Sequence, residues 1–198
     1  MKNFFVLLVA FSIIFLTGFV ANAEEKSNIP ELLTEIVNRC STDVSYIKTS
    51  TLACENGTVG IHKAYYRDIN TYRFETETPE SDNDNFIDIV HDKKRYLYNS
   101  RTMAIETSGE AAPNLLQLIG NSKVGKRSSV YLNCVEYEFI DERGQKYIYV
   151  VDKIKKVLAL TISYGKDGKE FGRDIYSHWK FEKQPDELFN EKLLPLKK

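Results

Sequence analysis

Glycine and proline are scarce in this chain, 10 and 5 residues of 198, whereas tyrosine and phenylalanine number 12 and 11. A turn-poor, aromatic-rich composition favours long β-strands over loops or disorder. Neither sign of charge dominates, with 27 lysines and arginines against 28 aspartates and glutamates. Without a broad positive field the chain is a poor partner for nucleic acid. Catalytic signatures are missing as well. His62, His91 and His178 fall on separate strands or turns, with no His-Glu-x-x-His spacing among them. No Gly-x-Ser-x-Gly elbow occurs. Gly125-Lys126-Arg127-Ser128 lacks the upstream glycine of a phosphate-binding loop. Carboxylates abound, but no pair stands out from ordinary surface acids. These absences turn the reading away from catalysis, cofactors and metals and towards binding.

Cysteine is sparse too: Cys40, Cys54 and Cys134. No two of them have metal-ligand spacing. In an oxidising compartment they predict one disulfide and one remaining thiol, with all three pairings open.

Long apolar runs are confined to the amino terminus. Lys2 precedes an apolar run from Phe4 to Val20, and Ala21-Asn22-Ala23 supplies a small-x-small cleavage pattern. Residues 1–23 therefore read as a cleaved secretory signal, since the run is at the short end for a membrane span. No cysteine stands at the cleavage point to take a lipid anchor. The remainder, residues 24–198, is expected to form one domain in the periplasm, or outside the cell where no outer membrane exists.

Pro30 and Glu31 open a helix whose apolar stripe is Leu32, Leu33, Ile36, Val37 and Cys40. From residue 44 the period changes to two. Strands are expected over 44–54, along the return strand through Val59, Ile61 and Tyr65, and through Tyr72, Phe74 and Thr76. Further strands are expected over 86–90, 95–98 and 103–107. A short apolar helix is expected over 113–119, from Leu115, Leu116, Leu118 and Ile119. Strands then resume over 130–141, 146–151, 157–164 and 171–181. Nine or ten antiparallel strands in meander order must curl, and a curled sheet needs an apolar cover.

Several stretches resemble the periplasmic carriers of outer-membrane lipoproteins, the LolA-like family. Tyr65-Tyr66-Arg67-Asp68-Ile69-Asn70-Thr71-Tyr72-Arg73-Phe74 is similar to their basic residue, turn and aromatic strand. Ile87-Asp88-Ile89-Val90-His91-Asp92-Lys93-Lys94-Arg95-Tyr96-Leu97-Tyr98-Asn99 is similar to their strand, Asp-containing turn and strand ending in Tyr-Asn. Asp186-Glu187-Leu188-Phe189 with Pro195 resembles their closing segment. The chain departs from the pattern at Asp68-Ile69, where the carriers commonly have proline, and in its three cysteines.

The resemblance implies a mainly β, α+β fold: an open half-barrel, or curled antiparallel sheet, covered by an amino-terminal helix and a short central helix. It implies a carrier or chaperone that holds lipoprotein acyl chains or a similar amphiphile without covalent chemistry or cofactor. The cleft lining would be Leu33, Ile36, Val37, Tyr72, Phe74, Ile87, Ile89, Tyr96 and Tyr98. Leu115, Leu116, Leu118 and Ile119 would form a lid, and Arg67 would hold it closed until release. A monomer is expected, with an inner-membrane donor, an outer-membrane acceptor and at most transient membrane contact. The alternative is an envelope sensor of the same shape that recognises a lipidated or misfolded protein.

Overall fold

The computed structural model describes residues 30–52, 57–77, 85–108, 123–141 and 144–195. Among these residues one α-helix, α1 (Glu31–Arg39), precedes eleven strands. The first group is β1 (Val44–Leu52), β2 (Gly57–Asp68), β3 (Thr71–Glu77), β4 (Phe86–His91), β5 (Lys94–Asn99) and β6 (Ala104–Ser108). The second is β7 (Lys123–Ser128), β8 (Cys134–Ile140), β9 (Lys146–Asp152), β10 (Val157–Tyr164) and β11 (Glu170–Phe181). All join one open antiparallel sheet in the order β6-β5-β4-β3-β2-β1-β11-β10-β9-β8-β7. The chain thus makes two meanders, and the pairing of β1 with β11, from Val44 opposite Phe181 to Leu52 opposite Gly172, joins them.

Local chemistry sets the ends of α1. Pro30 sits at the cap with φ −55°, Glu31 lies in the first turn and Arg39 in the last, each matching the helix dipole. Ser41 closes the helix by donating its hydroxyl to the Val37 carbonyl at 2.7 Å. In the β4–β5 hairpin, Asp92 and Lys93 both adopt positive φ, 50° and 61°, which fits a tight two-residue turn.

The main core lies where α1 crosses the second meander. Leu33, Ile36 and Val37 pack on Val135, Tyr137, Phe139, Tyr149, Val151 and Leu158. Alternation along β9 sends Ile148 and Val150 to the other side of the sheet, and a register shift between Leu158 and Leu160 sends Leu160 and Ile162 there too, forming a second cluster. A third cluster, Ile89 and Tyr98 with Leu194 of the carboxy-terminal tail, covers the first meander on that same opposite face. The sheet is therefore apolar on both sides.

Two expectations from sequence change. Lys123–Ser128, to which no element was assigned, is a strand, and the strand expected from Val130 starts at Cys134. Ser128 already pairs with Val135, so Val130–Leu132 must turn between β7 and β8.

Ile36 has no solvent exposure. Ile36→Ala should destabilise the fold by about 2–5 kcal/mol, read as a lower midpoint in urea unfolding with an unchanged slope.

Candidate functional site: an aromatic face beside the helix

A β-bulge creates the site. The β1–β11 register slips between Ser45 opposite Lys180 and Ile47 opposite Ser177, leaving one extra residue in β11. His178 absorbs it with φ 53°. Tyr176 and Trp179 consequently both pack towards the core under α1, which strict alternation forbids for residues three apart. The Arg39 guanidinium lies 4.3 Å from the Phe181 ring centroid and pins the helix end to this corner.

From there an aromatic ribbon crosses the strands. Trp179 contacts Tyr46 with ring centroids 4.3 Å apart, and Tyr176 lies 5.6 Å from Tyr46. Tyr46 stacks on Tyr66 at 6.1 Å. Tyr66 meets Tyr72 at 5.3 Å and Phe74 edge-on at 5.7 Å. The register explains the line: Tyr46 is opposite Ala64, Tyr66 opposite Tyr72, and Ala64 opposite Phe74. Burial pushes the Tyr46, Tyr66, Tyr72 and Tyr176 phenols up, so all stay neutral. Trp179 Nε1 is buried with no hydrogen-bond partner among the described residues.

Polar pairs interrupt this apolar face. Arg95, 6% exposed, donates to both Asp88 oxygens at 2.9 and 2.7 Å, and the pair lies beside Tyr72 and Phe74. Ser50 donates to Asp174 at 2.6 Å, with Lys48 3.6 Å from the same carboxylate. His62 shares a hydrogen bond with Thr76 at 2.9 Å. Burial, reinforced by Lys48 and partly offset by Asp174, pushes the His62 imidazole down to about 3. The Thr76 hydroxyl thus holds a neutral imidazole in place on this face. Among the described residues no cluster of three potential metal ligands occurs.

The residues expected to line one cleft are divided by this geometry. Tyr72 and Phe74 lie on the helix face. Ile87 and Ile89 pair with Tyr98 and Tyr96 on the opposite face, while Asp88 and Val90 face Phe74 and Tyr72. Leu33, Ile36 and Val37 fill the core of the second meander, not a wall across from Phe74. Arg67 also belongs with the tail: it donates to Asp186 at 2.6 Å and lies 4.9 Å from the Phe189 ring. Cys40 and Cys134 are free thiols, with Cys40 pushed up to about 11 by burial. The lid residues Leu115, Leu116, Leu118 and Ile119, the third cysteine Cys54, and residues 1–23 lie outside the described residues.

Tyr46, Tyr66, Tyr176 and Trp179 were not anticipated as site residues. Parity gives a partial signal for the first two, because hairpin register carries the Tyr72–Phe74 face across to them. Trp179 depends on the bulge and carries no such signal.

No protein-family model and no curated protein sequence matches this chain. Among solved structures, it is similar to the Pseudomonas aeruginosa MucA/MucB complex at 7% identity and a TM-score of 0.53, covering 81% of this chain and 59% of that one. A structure of MucB aligns at 8% identity and a TM-score of 0.53, covering 83% of this chain and 62% of that one. The chain thus spans about three fifths of the MucB chains it matches, and the likeness is one of fold. A LolA superfamily protein from Nitrosomonas europaea aligns at 10% identity over 82% of this chain and 97% of that one, with a TM-score of 0.45 that is too low to build on. The open antiparallel sheet with its amino-terminal helix agrees with the mainly β, α+β curled-sheet fold expected from the sequence.

His62 stays neutral in the fold down to about pH 3 but titrates near 6.5 when unfolded. Between those values the unfolded chain binds the extra proton, so this contribution is intact above pH 6.5 and is lost as pH falls. The urea midpoint should therefore drop more steeply from pH 7 to pH 4 in the native chain than in His62→Gln.

Proposed function

We propose that this protein is an exported, non-catalytic carrier that holds lipoprotein acyl chains, or a similar amphiphile, against the aromatic ribbon. The observation that carries this reading is the continuity of Trp179, Tyr46, Tyr66, Tyr72 and Phe74 across four adjacent strands. An alkyl chain laid along these rings gains ~0.8 kcal/mol per methylene buried.

In this reading Leu115, Leu116, Leu118 and Ile119 act as a lid. Displacing that lid offsets part of the transfer gain and keeps loading reversible. Arg67 enters through the tail that it holds, with release of cargo linked to that contact. Cargo would come from an inner-membrane donor and pass to an outer-membrane acceptor in the periplasm. Among the described residues no helix is long and apolar enough to cross a membrane.

A second reading is an envelope sensor that detects a lipidated or misfolded protein. It draws on the MucA/MucB complex, in which a chain of similar fold is bound to another protein. A sensor would form a stable protein complex without co-purifying lipid.

Phe74→Glu places a charge in the middle of the ribbon, whereas Ile87→Thr alters the opposite face. Uptake of a fluorescent fatty acid should fall on the order of tenfold or more in the first and stay unchanged in the second. Equal uptake by folded Phe74→Glu protein would remove the ribbon from the binding surface.

A further inference from the structure

Four apolar side chains stand in water at one end of the sheet. Val130, Tyr131 and Leu132 in the β7–β8 turn are 91%, 43% and 87% exposed, and Ile154 in the β9–β10 turn is 72% exposed. The two turns are tied together, since the Lys153 amide donates to the Asn133 carbonyl at 3.0 Å. Their exposure is built into ordered backbone. Ser129 Oγ accepts from the Tyr131 amide at 3.1 Å and donates to Glu136 at 3.0 Å, and the Cys134 amide donates to the Tyr131 carbonyl at 3.2 Å. Asp152 Oδ1 accepts from the Ile154 and Lys155 amides, both at 2.9 Å. Asn133 and Lys156 take positive φ, 60° and 53°, to complete the turns.

Cations accompany the apolar tip. Lys153 and Lys155 are exposed on either side of Ile154. The nearby carboxylates are engaged: Glu136 with Arg127 at 2.7 Å, Glu35 with Lys156, and Asp152 with the turn amides. Asp152 keeps its negative charge while accepting from neutral amides, so Lys153 and Lys155 leave a small positive excess beside the protruding apolar point.

We propose that this tip docks the protein on an anionic lipid bilayer. Val130, Leu132 and Ile154 enter the acyl boundary, Tyr131 sits at headgroup level, and Lys153 and Lys155 meet lipid phosphates. A bilayer fits better than a protein because lysine is depleted from protein interfaces, whereas basic residues beside apolar anchors characterise lipid contact. The Glu35–Lys156 ion pair ties the β9–β10 turn to α1, so docking brings the helix side of the sheet to the membrane. The proposal stands apart from the carrier reading, because tip and ribbon share no residue.

Sedimentation with phosphatidylglycerol–phosphatidylethanolamine vesicles, compared with phosphatidylcholine vesicles, tests it. The native chain should bind the anionic vesicles more strongly, and less so as salt rises. Val130→Ser with Leu132→Ser should lower partitioning on the order of tenfold, and Lys153→Glu with Lys155→Glu should bring anionic binding down to the neutral-vesicle level. The apolar run at residues 4–20 is common to all these chains wherever it is retained, so the differences report the tip. Unchanged urea midpoints and fatty-acid uptake would show that fold and ribbon are intact. Absence of vesicle binding, or equal binding by native and substituted chains, would overturn the proposal. So would loss of a protein partner on the same substitutions in a chain that ignores vesicles, which assigns the tip to that protein.

Discussion

Everything in this molecule hangs on the seam between β1 and β11, where strands from opposite ends of the chain become neighbours. Each meander is held by local hairpins, but only this pairing merges them into one sheet. The aromatic ribbon depends on it directly, because Tyr46 is on β1 while Trp179 and Tyr176 are on β11. The bulge at His178 lies in the seam itself. Its extra residue aims two aromatic rings, Tyr176 and Trp179, at the side where α1 packs. A seam without the bulge would turn Trp179 to the other face and leave Tyr176 as the ribbon's only ring on β11.

The sheet divides its two faces between different tasks. Beneath α1 the helix face is a filled core of Tyr137, Val151 and Leu158. Beyond the helix, the same face becomes a run of half-buried rings with polar pairs among them. The Arg95–Asp88 pair is costly to bury and contributes little net stability, but it fixes two side chains in a defined geometry beside Tyr72. On the opposite face the tail lays Leu194 over Ile89 and Tyr98, and Arg73 donates to the Leu188 carbonyl at 3.1 Å. Over the first meander, that face is covered by the chain's own end.

Much of this was legible residue by residue. The stripe of Leu33, Ile36 and Val37 predicts α1 and its buried side, and period-two alternation locates most of the strands. The Asp92-Lys93 turn follows from its polar residues between two aromatic-rich runs. Less legible was β7, whose Lys-Val-Gly-Lys-Arg-Ser sequence carries little strand signal and gains its state from pairing with β8. Val130-Tyr131-Leu132 misleads in the other direction. Its β propensity is high, yet the hairpin needs those positions for its turn.

The amino-acid sequence by itself determined the element types, the meander order and the alternation within each strand, because these follow from interactions a few residues apart. Only the tertiary structure decided which alternating set faces which cover. Ile87, Ile89, Tyr96 and Tyr98 alternate as cleanly as Tyr72 and Phe74, but the tail claims the former and the helix side the latter. That choice rests on the β1–β11 register, the single bulge within it and the docking of a distant tail. All three are contacts between residues far apart in the chain, and local periodicity carries no record of them.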